Sequence, residues 1–325
     1  MSGSTLRDHN VLPASELEKK YDGASKGNIA KACIGNGSNI VVERQSTPVS
    51  LPSTLPNDVN PEVGNSEVEY IDSENLTDLS DVDASLHTLV ARLDSKDWVL
   101  LCEALNNVRQ ISIYHKEKLL EMLGVVIPLI VKSLKNPRSA VCKTAIMTSS
   151  DIFKVYNDLI IDSLDPLLVQ LLLKSSQDKR FVCEAAETAL ILMTTWVSPS
   201  LLLPKLQPYL KHKNPRIRAK ASMCFSRSVP RLGIEGIKMY GIDKLIQIAA
   251  SQLSDQLPES REAARILALE LQTLYEKSQT SPSEGTAELD ADSWEAFCQA
   301  KLSPLSAQAI LRVTSTTKDG LVVGC

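Results

Sequence analysis

The chain has 325 residues, of which 43% are hydrophobic, 23% are charged and 4% are aromatic. These fractions are ordinary for a soluble globular protein, except that aromatic residues are few, as in helical arrays packed through Leu, Ile, Val and Ala. The sequence has no run of 18 apolar residues and no secretory signal pattern in residues 1–10, so we expect a cytoplasmic protein without a membrane partner.

Charge is distributed unevenly along the chain, whose net charge is −4. Residues 1–84 carry 14 acidic and 6 basic residues, and residues 278–325 carry 6 acidic and 3 basic residues. The remaining residues, 85–277, carry 19 acidic and 26 basic residues, which gives them a net charge of +7. A basic core between acidic ends indicates an anionic partner.

The first 83 residues show neither a helical nor a strand period. They are rich in Ser, Asn, Gly and Pro, and their last part is acidic. Segments of this composition cannot bury enough apolar surface to offset the entropy of ordering the chain. Residues 1–83 are therefore predicted to be a disordered acidic leader.

From residue 84 to residue 277 one pattern recurs five times: a short polar turn, then a helix with a small residue four places after a buried one. The pairs are Leu100/Ala104, Val141/Ala145, Val182/Ala186, Ile217/Ala221 and Ser260/Ala264. The alanines are 41, 41, 35 and 43 residues apart. A period near 40 residues is typical of HEAT and armadillo repeats, which are stacked helical hairpins. The sequence predicts an all-α solenoid of about five helix pairs.

Apolar periodicity and helix-start signals predict the individual helices. The expected ranges are 84–93 and a helix from Trp98, 116–134 and 138–155, 159–174 and 179–196, 199–211 and 215–229, and 234–253 and 258–277. Four turns have a side chain that can accept hydrogen bonds from the free N–H groups of the next helix. These are Asp97, Asn136, Asp178 and Asn214.

Four of the seven cysteines follow the same period, with spacings of 40, 41 and 41 residues. They are Cys102, Cys142, Cys183 and Cys224. The chain has no C-x-x-C pair and no histidine at ligand spacing from them, so we interpret them as small buried helix residues in a reducing compartment. No metal or other cofactor is expected.

Catalysis is not expected either. The four histidines are scattered along the chain, at positions 9, 87, 115 and 212. The sequence contains no Gly-rich phosphate loop, no nucleophile elbow and no paired-carboxylate motif. The pattern favours a binding protein over an enzyme.

The turns inside the hairpins carry the candidate binding residues. Because stacked hairpins align equivalent turns along one edge, these side chains should form a single row, which we call the turn ridge. Its candidate residues, in turn order, are Lys96 and Trp98; Lys135, Asn136 and Arg138; Lys179 and Arg180; Lys213, Asn214 and Arg216; and Arg261.

With Ser95-Lys96-Asp97-Trp98 in the first turn and Asn-Pro-Arg in the second and fourth, residues 84–277 resemble a TOG domain. The similarity is greatest to the type found in the amino-terminal domain of CLASP proteins and in crescerin-like proteins. It implies a paddle of HEAT repeats whose turns bind the αβ-tubulin heterodimer, and a place on the microtubule cytoskeleton.

The resemblance also implies roles for single residues. Trp98 would be the apolar anchor on tubulin, and the basic ridge residues would pair with acidic tubulin surface. Two features depart from the family pattern. The fifth turn, residues 256–261, has an acid and only one base, and the chain has one array where most family members have several.

Beyond the array, residues 278–292 are predicted to be a Ser/Thr/Gly-rich linker and residues 293–325 a tail with a short amphipathic helix. Trp294, Phe297 and Cys298 fall on one face of that helix. This face either docks on the array or binds a second protein partner.

The residues alone leave one main alternative function open. A generic armadillo-type or HEAT scaffold would hold a peptide or protein on its concave face, along the second helix of each pair. Candidate polar contacts there are Asn106, Asn107, Ser149 and Ser150. Nucleic-acid binding is disfavoured, because the ridge lacks interleaved aromatics and the isoelectric point is near 5.7.

Overall fold

The computed structural model describes residues 70–279 and 293–319. Over these ranges the chain contains helices and turns but no strand, and successive helices pack against one another in pairs that stack side by side. The predicted all-α solenoid is confirmed. Most of the predicted leader, residues 1–69, and the predicted linker from residue 280 lie outside the described residues.

The first three pairs are formed by seven helices. They are α1 (Val82–Leu93) with α2 (Trp98–Tyr114); α3 (Lys116–Leu120) and α4 (Leu123–Leu134) with α5 (Ser139–Tyr156); and α6 (Leu164–Lys174) with α7 (Arg180–Trp196). A 3₁₀ segment, Asn157–Ser163, leads into α6. The predicted helices over 116–134 and 159–174 are thus each divided.

Seven more helices complete the described part of the array. They are α8 (Pro199–Leu206) with α9 (Pro215–Ser228); α10 (Gly233–Tyr240) and α11 (Ile242–Leu253) with α12 (Pro258–Gln279); and α13 (Trp294–Lys301) with α14 (Pro304–Asp319). The predicted helix over 199–211 ends in the 3₁₀ segment Gln207–Lys211. Gly241 divides the one predicted over 234–253, because its φ of 98° is open to glycine and strained for other residues.

The helix pairs pack closely because their second helices carry small residues where they touch. Ala104, Ala145, Ala186 and Ala221 are all fully buried, which lets α2, α5, α7 and α9 approach one another closely. The prediction that Leu100 is buried is wrong. Leu100 is 41% exposed, whereas its neighbour Leu101 is 5% exposed, because Leu101 lies three residues before Ala104 and so shares its face.

The recurring cysteines are packing residues, as predicted, although Cys183 is only half-buried. Burial raises the pKa of the Cys224 thiol to about 12, so this side chain stays protonated. Within the described ranges, no group of three His, Cys, Asp or Glu side chains could hold a metal ion. The same ranges contain no helix that is both long and apolar enough to span a membrane.

The last pair, α13 and α14, decides between the two alternatives for the face around Trp294 in favour of docking on the array. Trp294 is 7% exposed and lies 5.5 Å from the Tyr275 ring of α12, while Phe297 lies 4.8 Å from the same ring. The Trp294 Nε1–H donates to the hydroxyl oxygen of Thr314 at 3.2 Å. The apolar face around Trp294 therefore packs inside the array as a sixth pair, and it is not exposed for a second protein partner.

The end of the predicted leader is also part of the structure. Residues 70–79 lie against α2 and α5, and Leu76 is 4% exposed. The expectation of disorder up to residue 83 is wrong for this stretch, because one leucine and several hydrogen-bonding groups find partners on the array. The first helix starts at Val82, where Asp81 accepts a hydrogen bond from the Ala84 N–H.

Candidate functional site

The turn ridge is built from one repeated local structure. In four of the turns an Asp or Asn side chain accepts a hydrogen bond from the N–H two residues later, which fixes the chain entering the second helix. The acceptor–donor pairs are Asp97 with Val99 (2.9 Å), Asn136 with Arg138 (2.9 Å), Asn214 with Arg216 (3.0 Å) and Asp255 with Leu257 (3.1 Å). This geometry orients the neighbouring side chains of each turn.

In the third turn, the predicted cap of the following helix is absent. Asp178 does not cap α7; its carboxylate accepts from Arg216 Nη1 of the fourth turn at 2.7 Å. The charge-assisted bond across turns competes with the cap. Asp255, in contrast, was not among the predicted caps, because it stands three residues before Pro258, whereas Asn136 and Asn214 each directly precede a proline.

Trp98 is the first residue of α2 and is partly buried, with one side packed against the core. Its ring is covered by Arg138 of the second turn, whose guanidinium carbon lies 4.6 Å from the ring centroid. A cation over an indole face is a favourable electrostatic contact. The structure therefore joins the first two turns through an aromatic residue and a base that the sequence had placed separately on the ridge.

Lys96 and Lys135 flank this pair. Both side chains are exposed, and neither has an ion-pair or hydrogen-bond partner in residues 70–279 or 293–319. Val99 and Leu100 are 37% and 41% exposed on the same first turn of α2. The first two turns thus present two lysines beside an apolar surface, which is the composition of an interface centre with a charged rim.

The bases of the third turn contact the array itself. Lys179 Nζ donates to the Ser139 hydroxyl oxygen at 3.0 Å, across to the second turn. Arg180 pairs with Glu184, one turn along α7, at 2.7 Å. Both bonds are exposed, so they compete with water and contribute little to stability.

The fourth turn carries Lys213, Asn214 and Arg216. Lys213 is exposed, and Asn214 is partly buried as the cap described above. Arg216 is bound to Asp178, and the hydrogen bond and charge of that carboxylate raise the pKa of the guanidinium above its ordinary value. Arg216 therefore remains charged at the surface while it connects the third and fourth turns.

Arg261, the predicted residue of the fifth turn, has an internal role. Its Nη1 donates to the carbonyls of Asp255 and Gln256 at 2.8 and 2.9 Å. Next to it, Arg218 pairs with the Asp255 carboxylate, which is 6% exposed, at 2.5 Å. These bonds hold the turn closed, and they leave the fifth turn poor in basic groups directed at a partner.

One exposed aromatic on the ridge was missed from the sequence. Phe181 is the second residue of α7 and is 44% exposed, and Lys143 Nζ lies 6.0 Å from its ring centroid. It directly follows Lys179-Arg180, and an aromatic after two turn bases was the signal available. The buried position of the repeat is the next residue, Val182, so Phe181 lies off the core face of α7.

The polar residues named for the alternative scaffold function have partners within the chain. Asn106 accepts from Arg109, and Asn107 accepts from Arg92. Ser149 and Ser150 donate to backbone carbonyls one turn earlier in α5. These four side chains therefore support the helices rather than forming a row of open contacts.

The chain is similar in sequence to two curated proteins, although it matches no family model. Over 138 residues it is 29% identical to the mouse protein "TOG array regulator of axonemal microtubules protein 1", a stretch that is 42% of this chain and 8% of the mouse protein. The human protein of the same name is 29% identical over 132 residues, 41% of this chain and 8% of its own length. The chain thus spans a small fraction of either curated relative.

Solved structures share the architecture. The TOG domain structure from C. elegans Zyg9 superposes with a TM-score of 0.51 at 16% identity, covering 76% of this chain and 91% of that one. A structure of crescerin, which uses a TOG domain array to regulate microtubules in the primary cilium, gives 0.50 at 17% identity and covers 70% and 88%. The array has the TOG-domain fold.

The resemblance seen in the first, second and fourth turns is thereby confirmed at the level of the fold. Within this TOG-like array, the turn ridge is the edge on which Trp98, Arg138 and Phe181 are gathered. Its first three turns combine exposed bases with exposed or partly exposed aromatic rings. Its fifth turn is held by internal hydrogen bonds.

Proposed function

We propose that this TOG-like array binds αβ-tubulin through its turn ridge, and that through this contact the protein acts on microtubule dynamics or organisation. The observation that carries the proposal is the pairing of Trp98 with Arg138, flanked by the exposed Lys96 and Lys135. A few residues supply most of the binding energy in protein interfaces, Trp and Arg are enriched among them, and a polar rim surrounds them.

Charge supports the choice of partner. The net charge of +7 over residues 85–277 favours an acidic surface, and the resemblance to TOG domains implies that the ridge meets acidic regions of tubulin. The similar proteins carry microtubules in their names, which agrees with a location on the cytoplasmic microtubule cytoskeleton. The proposal is one of non-catalytic binding and includes no cofactor.

The ridge residues divide into three roles under this proposal. Trp98 is the apolar anchor, with Phe181 as a second apolar contact further along the ridge. Lys96 and Lys135 attract acidic groups, Lys213 adds an exposed positive charge in the fourth turn, and Arg138, Lys179, Arg180 and Arg216 exchange their exposed internal partners for tubulin carboxylates. Asn136, Asn214 and Arg261 hold the turns in shape.

The test is gel filtration of the full-length chain with unpolymerised αβ-tubulin at low and at raised salt. We expect a complex at low salt that weakens as salt rises, because charges on exposed turns are screened over about 8 Å at physiological ionic strength. An acidic protein of similar net charge and unrelated structure, run under the same conditions, controls for general charge attraction. No complex with tubulin, or equal retention of the control protein, would rule out the proposal.

A further inference from the structure

Residues 70–79, which we call the docked segment, are held by the second helices of the first two pairs. The side chain of Leu76 is buried at 4% exposure, while its neighbours are exposed or partly exposed. Two helix side chains bind the backbone of the segment. The Tyr114 hydroxyl donates to the Leu76 carbonyl at 2.7 Å, and the Gln110 amide donates to the Thr77 carbonyl at 2.9 Å.

A buried polar site receives the hydroxyl of Ser73. Its Oγ donates to Asp151 Oδ1 at 2.6 Å and accepts from Arg109 Nη2 at 3.2 Å. Arg109 of α2 and Asp151 of α5 also pair with each other at 2.6 Å, and their side chains are 1% and 5% exposed. Two buried charges in contact with one hydroxyl form a selective receptor, because an apolar side chain in its place would leave the carboxylate oxygen unpaired.

The remaining contacts of the segment lie at its ends. Asp78 Oδ1 is 2.7 Å from His115 Nε2, just after α2. Lys143 Nζ of α5 lies 3.9 Å from the centroid of the Tyr70 ring. Within six residues, the hydroxyl of Ser73, the side chain of Leu76 and the carboxylate of Asp78 each contact a different part of the array.

The receiving groups are held in place by the array as well as by the segment. Arg109 donates to Asn106 and to the second carboxylate oxygen of Asp151, so its guanidinium is fixed by α2 and α5 themselves. A preformed surface of this kind loses little side-chain entropy when a ligand binds. In contrast, the segment buries only Leu76 fully and packs Leu79 against the core in part, and segments with few buried contacts open at low local free energy.

We propose that α2 and α5 form a peptide-binding groove for an extended segment of the type Ser-x-x-Leu-x-Asp, and that residues 70–79 are its displaceable internal occupant. The partner is a segment of another protein with the same chemistry: a hydroxyl, an apolar residue three places later and a carboxylate two places after that. The docked segment competes with it from within the chain. This groove follows the second helices and approaches the turn ridge at its Tyr70 end, where Lys143 lies near both Tyr70 and Phe181. The proposal does not depend on tubulin binding.

The experiment uses the full-length chain and a fluorescently labelled peptide of residues 70–79. Leu76→Asp in the chain places a charge in the apolar site and releases the docked segment, whereas Asn75→Ala changes an exposed side chain and is the matched control. A tethered competitor acts at an effective concentration of about millimolar, so we expect the peptide to bind the Leu76→Asp chain at least about tenfold more tightly than the control chain. A peptide carrying Leu76→Asp should bind neither.

Hydrogen exchange on the same variants decides whether the groove survives release. We expect faster exchange in residues 70–79 and unchanged protection in α2 and α5. A milder release variant, Ser73→Ala with Asp78→Ala, repeats the test without a new charge. If the segment opens and the peptide still fails to bind, or if both release variants also unprotect α2 and α5, the segment is a structural part of the fold and the proposal is wrong.

Discussion

In the first two turns of the ridge, Lys96 and Lys135 are exposed and Arg138 covers the ring of Trp98. In the last turn, Arg261 donates to backbone carbonyls and the adjacent Arg218 is bound to a nearly buried carboxylate. The sequence had already set the last turn apart, because it contains an acid and only one base. The difference shows that a base in a repeat turn has one of two functions, and that its hydrogen-bond partners decide which.

The energetic reason lies in exposure. An arginine bonded to a buried carboxylate cannot leave it without stranding that charge, so it is fixed in a structural role. An exposed pair such as Arg216 with Asp178 gains little over hydration and can exchange its partner. The basic side chains of the ridge therefore fall into three classes. Lys96 and Lys135 are open to a partner, Arg216 can exchange its partner, and Arg261 has a structural role.

The largest effect that this comparison predicts is on stability at the fifth turn. Arg218→Ala leaves the carboxylate of Asp255 without its charged partner and should lower the free energy of unfolding by about 3 kcal/mol, the cost of breaking a largely buried pair. Arg216→Ala, two residues away and exposed, is the control and should leave the melting temperature unchanged. Equal melting temperatures for the two variants would remove the distinction between structural and exchangeable arginines.

A smaller effect is expected on the rate of tubulin association. Lys96→Glu with Lys135→Glu reverses two exposed charges in the first two turns and should slow association about tenfold at low salt, because steering by exposed charge acts on the encounter rate. Lys154→Glu with Lys301→Glu makes the same change in net charge away from the ridge. Stopped-flow mixing should show a deficit for the ridge variant alone, and that deficit should shrink as salt rises. Equal slowing of both variants would mean that net charge, not the ridge, guides the encounter.

The smallest effect concerns acid stability. Burial alone would raise the pKa of the Asp255 carboxyl, but hydrogen bonds from Arg218 and the Leu257 N–H, together with the charge of Arg218, hold it below its ordinary value of 3.8. A carboxyl whose pKa is lowered by folding stabilises the protein above that ordinary value, and the contribution is lost as pH falls below it. The stability difference between the natural chain and Asp255→Asn should therefore shrink in acid. A difference that stays constant with pH would contradict this assignment.

Much of the fold could be predicted because the repeat is local. The spacing of Ala104, Ala145, Ala186 and Ala221 identified the stacked second helices, and Asp97 and Asn214 marked helix starts where the structure has them. For the sixth pair, the sequence left docking on the array and binding of a partner open. The aromatic face around Trp294 has the same pattern whether it binds a partner or Tyr275 of its own chain.

Less of the candidate site could be predicted, because the partners of the ridge side chains come from other turns. The stacking of Arg138 on Trp98 joins residues 40 positions apart, and Arg216 reaches back 38 positions to Asp178. A sequence pattern shows that both residues of a pair belong to turns, but not that they meet. The docking of residues 70–79 depends on the Arg109–Asp151 pair in the same way.

The central claim, that the open end of the ridge binds tubulin, is tested most directly by Trp98→Ala, with affinity and stability measured on the same full-length variant. Since Trp98 is partly buried, truncation should cost about 1–2 kcal/mol of stability, less than the 3–5 kcal/mol typical of a core aromatic. Tubulin affinity should fall by at least about 2 kcal/mol, near thirtyfold. Trp196→Ala, at the far end of α7 and 39% exposed, is the matched control and should bind normally. A folded Trp98→Ala chain with unchanged affinity would contradict the account.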